Sequence, residues 1–524
     1  MSLAIPAPLC DVYDMGQSAT AGQYTYRRRQ PEETVLYKTL AANVETFIAD
    51  REAEGRPVPV RVAKELRDYL TCGIVQYGFV RIFCPGCQHE EAIGYSCKGR
   101  GFCPSCFGKR MAEAVEHLVD HVLRHAPYRQ WVLTFPFALN FWLAANNRLL
   151  SKINKIATSE IGKFYSKKAQ AEGIAAPLPG AITFIQRSGS ALSAALHLHI
   201  LAIDGVYATP SVEGQAPRLR SLAGPSDEEV GAVVEKIAKR TIKLLRRRGY
   251  LGSEGELVMR PDADDMFREN AAIAAALGAS VLSKIAFGPR AGQYVRKIGK
   301  TFGFEEEVPL VKGVKCATIN GFNLHAATFV AAPQRRRREE LVAYMTRPPL
   351  ATNRLTVKEN GDLVYTMKRV FSDGTRAILL SPLELIEKLC AMVPPSRAHQ
   401  TLYTGVFSSH SKWRNLVVLD PPARKGFNPV TVDKKKVKNH RRAKLLKRIF
   451  KIDVGTCPKC GTDMEIRADL HDPEGIRRYL KHIGLSEHPP PIAPARYEKQ
   501  GLELTFDEAS PAPPDETQRS PDYQ

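Results

Sequence analysis

AITFIQ (residues 181–186), RSGSALSAA (187–195) and LHLHILAI (196–203) form the stretch whose reading decides the fold. The outer pieces are rich in β-branched and aliphatic residues; the piece between them is small and polar and contains Gly189. That pattern predicts an antiparallel hairpin. Side chains two apart on a strand share a face. His197 and His199 therefore point the same way while Leu198 packs behind them. Two imidazoles so placed can hold one divalent ion.

Reading outward, RQWVLTFPF (129–137) predicts a buried strand and residues from about 139 to 170 a helical stretch. Strand signals return over VKCATINGFNLHAATFV (314–330). A helix from about Arg335 to Met345 must end before Pro348 and Pro349, because proline lacks the amide donor and restricts the residue before it. Ser226 and Glu229 form a capping box that opens a helix through KIAKRTIKLLRRR, and a second helix runs from near Asp262 through ENAAIAAALGASVL. Further helices are predicted from Glu33 to Asp50 and from Lys109 to His125, with turns at Gly361-Asp362 and Asp373-Gly374. The expected fold class is α+β. A central antiparallel sheet bears the histidines, and helices cover one face.

The chain has 524 residues, 44% of them apolar, and carries 75 lysines and arginines against 55 acids, a formal +20. A chain this long supports several domains. The charge suits a polyanion, most simply nucleic acid. No apolar run is long enough to span a bilayer, and MSLAIPAPLCDVYDM lacks the form of a signal peptide. A cytoplasmic protein with no membrane partner is expected. Residues 434–451 hold ten basic residues and no acid. They read as a DNA-binding helix, with Lys434, Lys435, Lys436, Arg441 and Arg442 as phosphate contacts. From Pro489 the chain is Pro-rich and polar and is expected to be a disordered tail.

Six of the 11 cysteines lie between Cys72 and Cys106. Cys84-Pro-Gly-Cys87 and Cys103-Pro-Ser-Cys106 have the form of zinc knuckles, and their 15-residue gap falls in the zinc-ribbon range. One structural Zn2+ on these four thiolates is expected, with Cys72, Cys97 and His89 as spare candidates. Cys457-Pro-Lys-Cys460 reads as half of a second zinc site, completed by His471, His440 or another segment. Beside the first cluster, Lys98, Arg100, Lys109 and Arg110 suit phosphate contacts. Trp131, Phe135, Tyr403 and Trp413 offer stacking surfaces, although packing is the commoner use of each.

Tyr344 with Arg347 three residues on presents a different chemistry. A tyrosine hydroxyl attacks phosphate well when a metal polarises the phosphate and stabilises the leaving oxygen. Arg347, on the same expected helix face, could clamp that phosphate.

On these residues the chain resembles the rolling-circle transposases of the insertion-sequence "ninety-one" type, including single-tyrosine relatives. The resemblance runs from about Cys72 to Ile466. It is carried by YGFVRIFCPGCQHE, SCKGRGFCPSCFGKRMAE, RQWVLTFPF, TFIQRSGSALSAALHLHILAIDGVY, GFNLHA, AYMTRPPLATNRL, SDGTRAILLSPLELIEKL, VPPSRAHQTLYTGVFSSHSKWR and CPKCGTDMEI. It implies an HUH endonuclease that nicks one DNA strand through a 5′-phosphotyrosine and leaves a 3′ hydroxyl. It makes His197 and His199 ligands of a catalytic Mg2+ or Mn2+, and Tyr344 the nucleophile. Gln186 is the first choice for a third ligand and His325 the second; Asp204 lies beyond reach, and Tyr403 is a rival nucleophile. Many relatives carry a second tyrosine four residues earlier, where this chain has Glu340. The partner implied is single-stranded or hairpin DNA at element ends, in a bacterial, nucleoid-associated setting, and a homo-oligomer is compatible with strand transfer.

The expected domains are a helical leader (1–65), a zinc-binding domain (66–127) and a catalytic domain (128–425) with a helical insertion at about 208–312. A basic helix with the Cys457/Cys460 region (426–485) and the tail (486–524) follow. A plasmid replication initiator or relaxase, or a non-catalytic zinc-dependent DNA-binding protein, are the alternative readings.

Overall fold

The computed structural model describes residues 24–25, 29–208, 215–252, 258, 271–299, 314–371, 373–418, 452–453 and 455–496. In chain order the first elements are α1 (Val35–Ala53), α2 (Val60–Thr71), β1 (Phe79–Phe83), β2 (Glu90–Gly94) and α3 (Pro104–His117). Next come β3 (Tyr128–Thr134), α4 (Phe137–Ala145), α5 (Asn147–Ala171), β4 (Gly180–Gln186), β5 (His197–Ile203) and α6 (Asp227–Arg247). Then follow α7 (Ala271–Val281), β6 (Arg296–Ile298), β7 (Cys316–Ile319), β8 (Phe322–His325), β9 (Phe329–Val330) and α8 (Arg335–Met345). The last are β10 (Leu355–Val357), β11 (Leu363–Thr366), β12 (Ala377–Leu380), α9 (Pro382–Met392), β13 (Thr401–Gly405), β14 (Glu465–Leu470) and α10 (Pro473–His482).

The fold is α+β, as expected. Its central sheet runs β7-β8-β3-β5-β4-β13, with β9 also on β3, and every pairing is antiparallel. The predicted hairpin is β4 and β5, with Gln186 opposite His197 and Phe184 opposite His199. On the other side of β5, Thr134 faces His197 and Val132 faces His199. Opposed residues share a face, so period-two alternation divides the sheet cleanly. Trp131, Leu133, Leu198, Ile200 and Ala202 bury one face against α5 and α6. Each large side chain there contributes roughly 1.5–3 kcal/mol of burial. The other face carries Ile182, Phe184, Leu201 and Ile203, and is covered by α3 and α8.

Local chemistry explains the helix limits. Asn146 separates α4 from α5 by accepting from the Leu149 amide at 2.9 Å. Ser226 and Glu229 form the predicted capping box of α6, and Ser381 with Glu384 forms another on α9. Pro104 sits at the first turn of α3, where a missing amide costs nothing, so that helix starts five residues before the expected Lys109. Helix α8 has the predicted bounds, Arg335–Met345.

Contacts cross several of the expected boundaries. Helix α1 of the supposed leader shares one core with α2, α7, α9 and the sheet β6-β12-β11-β10. In the supposed helical insertion, α6 lies on the central sheet, Arg218–Ser221 forms a strand and β6 joins β12. The Cys457/Cys460 region folds back onto the N-terminal zinc region, where β14 pairs with β1 and α10 packs Ile476 and Leu480 against Val75 and Phe79. A bare two-stranded β1–β2 ribbon would be marginal, and β14 supplies its third strand. Within the expected tail, residues 486–496 are held on the fold: the Ala493 amide donates to Ala41 O at 2.8 Å and the Arg496 amide to Thr46 Oγ1 at 3.1 Å. The basic run Lys434–Lys451, with Lys434, Lys435, Lys436, Arg441 and Arg442, lies outside the described residues. Among the described residues no helix is long and apolar enough to cross a membrane.

A buried ion pair pins the sheet. Arg129 donates to both carboxylate oxygens of Asp204 at 3.0 and 2.7 Å and to Ala326 O at 3.0 Å. The Tyr165 hydroxyl donates to Asp204 at 2.7 Å; burial first, and then this carboxylate, push that phenol's pKa well up. Asp204 is thus fully engaged away from the histidines. Asp204→Ala should destabilise the fold by about 3–5 kcal/mol, because it strands a buried guanidinium. Denaturant unfolding followed by tryptophan fluorescence measures the loss.

Candidate active site and thiolate clusters

His197 and His199 leave β5 on the face opposite α5 and α6. His197 Nδ1 lies 3.0 Å from Ala195 O, and its Nε2 lies 3.0 Å from Gln186 Oε1. The Gln186 amide nitrogen donates to Met345 O at 3.0 Å and approaches Tyr344 O at 3.4 Å, which sets the orientation of that amide. Gln186 therefore ties the histidine strand to the end of α8. Burial, and secondarily the Arg347 charge, lower the His197 pKa. Burial, then His197 and Arg347, lower that of His199 to about 3. Both shifts favour the neutral imidazole.

This donor set fits a divalent cation. A neutral imidazole donates only once. Whichever nitrogen of His197 carries the proton, the other turns a lone pair toward an oxygen, and with the proton on Nδ1 a cation between Nε2 and Gln186 Oε1 would relieve that opposition. His199 is 3% exposed, and its Nε2 is buried with no hydrogen-bond partner. Its Nδ1 lies 2.7 Å from the Gln130 amide. Metal-bound histidines commonly donate from the far nitrogen, and with the Gln130 amide turned over, its oxygen would accept from Nδ1–H and leave Nε2 a lone pair for the ion. Gln130, one strand over on β3, was missed in the sequence; its position two residues from Val132, which opposes His199, is the signal that could have found it. His325 opposes Val132 and so stands two strands from His199 on the same face, with Val132 between them. Burial lowers its pKa.

Tyr344 sits in the last turn of α8. Its ring meets His199 edge-on, with centroids 5.7 Å apart. The Arg347 guanidinium carbon lies 4.4 Å from the Tyr344 ring centroid. Arg347 arrives there from beyond the helix, which ends at Met345 with Thr346 as cap, rather than from the expected shared helical face. Tyr403 does not reach this site: it packs on β13 with the Arg414 guanidinium 5.6 Å from its ring.

The histidines, Gln186, Gln130, Tyr344 and Arg347 line one cleft of about 1370 Å³. Eight arginines and lysines line it against two glutamates. Of the basic residues expected near the cysteines, Arg110 lines the cleft and donates to Lys98 O and Gly99 O at 2.6 and 2.5 Å. Arg100 donates to Ala398 O, Lys98 is exposed, and Lys109 lies on α3. Trp131 and Phe135 are core residues, and Trp413 packs at the edge of the α3–α8 core. Sequence reading missed the cations at Arg336, Arg337, Lys368 and Arg369; the run of four arginines at 335–338 was a visible signal.

The cysteines regroup. Cys84, Cys87, Cys103 and Cys106 do not form one shell, because β2 carries the chain away between the two knuckles, by about 3.3 Å per residue. Cys103 and Cys106 join Cys72 and Cys97, whereas Cys84 and Cys87 join Cys457 and Cys460. Sulfur–sulfur distances are 3.3–3.8 Å in the first group, and 3.3 and 3.5 Å in the second. A tetrahedron with Zn–S of about 2.3 Å has edges of about 3.8 Å, and a disulfide is about 2.05 Å, so both groups fit zinc. His471 stacks on Tyr95 instead, and His89 pairs with Glu91.

A zinc-holding module joined to a histidine–tyrosine cleft lined with cations marks a nucleic-acid-processing protein. Comparison with known families bears on this directly. The family described as "Transposase zinc-binding domain" matches residues 43–135, and the one described as "Putative transposase" matches residues 180–414. The chain belongs to the transposases of the insertion-sequence "ninety-one" type. No curated protein and no solved structure matches it.

Metal analysis of protein purified without chelator should give two zinc ions per chain. Cys457→Ser with Cys460→Ser should remove one, and Cys72→Ser with Cys97→Ser the other. Loss of both ions from the first double variant would contradict the pairing.

Proposed function

We propose that this transposase nicks one strand of DNA at element ends through a covalent tyrosine intermediate, as the first step of rolling-circle-type transposition. The observation that carries this reading is the Tyr344 ring against His199, with the Arg347 guanidinium over it, in a cationic cleft. The Tyr344 oxygen attacks the scissile phosphorus, the bond from phosphorus to the 3′ oxygen breaks, and the phenol's proton ends in sum on the departing 3′ hydroxyl. The DNA keeps a 5′-phosphotyrosine. Arg347 holds the non-bridging oxygens as charge gathers on them. Arg336 and Arg337 line the approach and draw the backbone in.

His197, His199 and Gln186 would hold Mg2+ or Mn2+, which when bound supplies Lewis-acid polarisation of the phosphate. Gln186 also anchors the end of α8, so the ligand strand and the tyrosine keep a fixed relation. Glu340 stands one turn before Tyr344 and accepts from Arg336 at 3.1 Å; a carboxylate there cannot receive a second strand as a tyrosine would. Each chain therefore forms one adduct.

Tyr344→Phe should retain zinc and DNA binding and form no covalent adduct with a labelled oligonucleotide in magnesium or manganese. An adduct in that variant would overturn the assignment. His197→Ala with His199→Ala should reduce nicking to background while DNA affinity changes little, since affinity comes mainly from phosphate contacts. Gel shift and nicking assays on the same preparation separate the two effects.

A further inference from the structure

Beyond the histidines the cleft continues to the turn joining β11 to β12. Lys368, Arg369, Val370 and Phe371 of that turn all line the cleft that Tyr344 lines. The turn is closed by the Met367 amide donating to Arg376 O at 2.7 Å and the Phe371 amide to Thr375 O at 3.0 Å. Phe371 packs in part on the core beneath, whereas Val370 is 59% exposed. Pro348, Pro349 and Leu350, which continue the chain from Arg347, line the same cleft. A cleft that handled phosphate alone would need only its cations. Here two cations precede two apolar side chains on one turn, and all four line the cleft that the tyrosine lines.

We propose that this turn forms a nucleobase subsite. An unpaired base of the strand whose phosphate reaches Tyr344 lies against Val370 and Phe371, while Lys368 and Arg369 hold the flanking phosphates. Apolar and aromatic surfaces bind the face of any base, and neighbouring cations follow the backbone. An exposed valine alone would mean little. Its weight comes from sharing the turn with two cations and sharing the cleft with the tyrosine. The inference rests on the reading that Tyr344 receives a DNA phosphate, and it adds that the strand must present a base free of its complement next to the cleavage point.

The test measures binding, so it stands apart from nicking. Single abasic sites are moved along a single-stranded oligonucleotide of the element end, and affinity for the full-length zinc-loaded chain is read by fluorescence anisotropy. One abasic position near the cleavage point should weaken wild-type binding by about tenfold. In Val370→Asp, and in the milder Val370→Ser, intact DNA should bind more weakly and the abasic penalty at that position should largely vanish. Zinc content and circular dichroism verify folding. An undiminished abasic penalty in both variants, or no sensitive position in the wild type, overturns the subsite. Failure of Tyr344 to form an adduct would instead overturn the nicking reading and would leave this binding result to be judged by itself.

Discussion

The structure depends on the two-residue alternation of the central strands. Because opposed residues in an antiparallel sheet share a face, a single parity choice on β5 sends Leu198, Ile200 and Ala202 into the core with α5 and α6 and sends His197 and His199 to the other side. The same choice on β4 presents Gln186, and on β3 it presents Gln130. A slip of one residue in any of these strands would turn its cleft-facing side chains into the α5–α6 core and its core side chains toward the cleft. The Arg129–Asp204 pair guards against such a slip, since it bonds β3 to the residue that follows β5 and is buried with Tyr165. Stability and chemistry thus rest on one register.

The position of the tyrosine helix follows from that register through Gln186. One side chain meets His197 with its oxygen and the last carbonyls of α8 with its nitrogen. Helix ends carry unsatisfied carbonyls, and here one of them is used to position the helix relative to the strand. The Pro348-Pro349 pair then prevents α8 from continuing, so that Arg347 folds back over the ring. Rigid placement of this kind suits chemistry that needs an in-line approach to phosphorus.

Much of this was legible in the sequence because it is local. Strand period, the capping box at Ser226, the proline stop after Met345 and the histidine pair all show within a few residues, and the hairpin partner Gln186 is only eleven residues from His197. What stayed hidden needed long-range pairing. Nothing near Cys457 says that its sulfur lies 3.5 Å from that of Cys87, because the strand that brings them together, β14, is recognisable only once β1 offers it an edge. The knuckle spacing even misled, since Cys103 and Cys106 look like the natural completion of Cys84 and Cys87 until β2 separates them. Gln130 was hidden for a similar reason. A glutamine in a buried run has no local signature, and its meaning comes from the strand beside it.

The second thiolate cluster also sets an order of events during synthesis. Cys72, Cys97, Cys103 and Cys106 emerge together, so their shell can close while most of the chain is still unmade. Cys84 and Cys87 must wait for Cys457 and Cys460, some 370 residues later. Two thiolates hold zinc poorly, so a chain that stops short of Cys460 keeps an unfinished shell and an unpaired β1 edge. Closure of that shell therefore requires a chain extended past Cys460, and a shorter product keeps an open edge and a half-built shell.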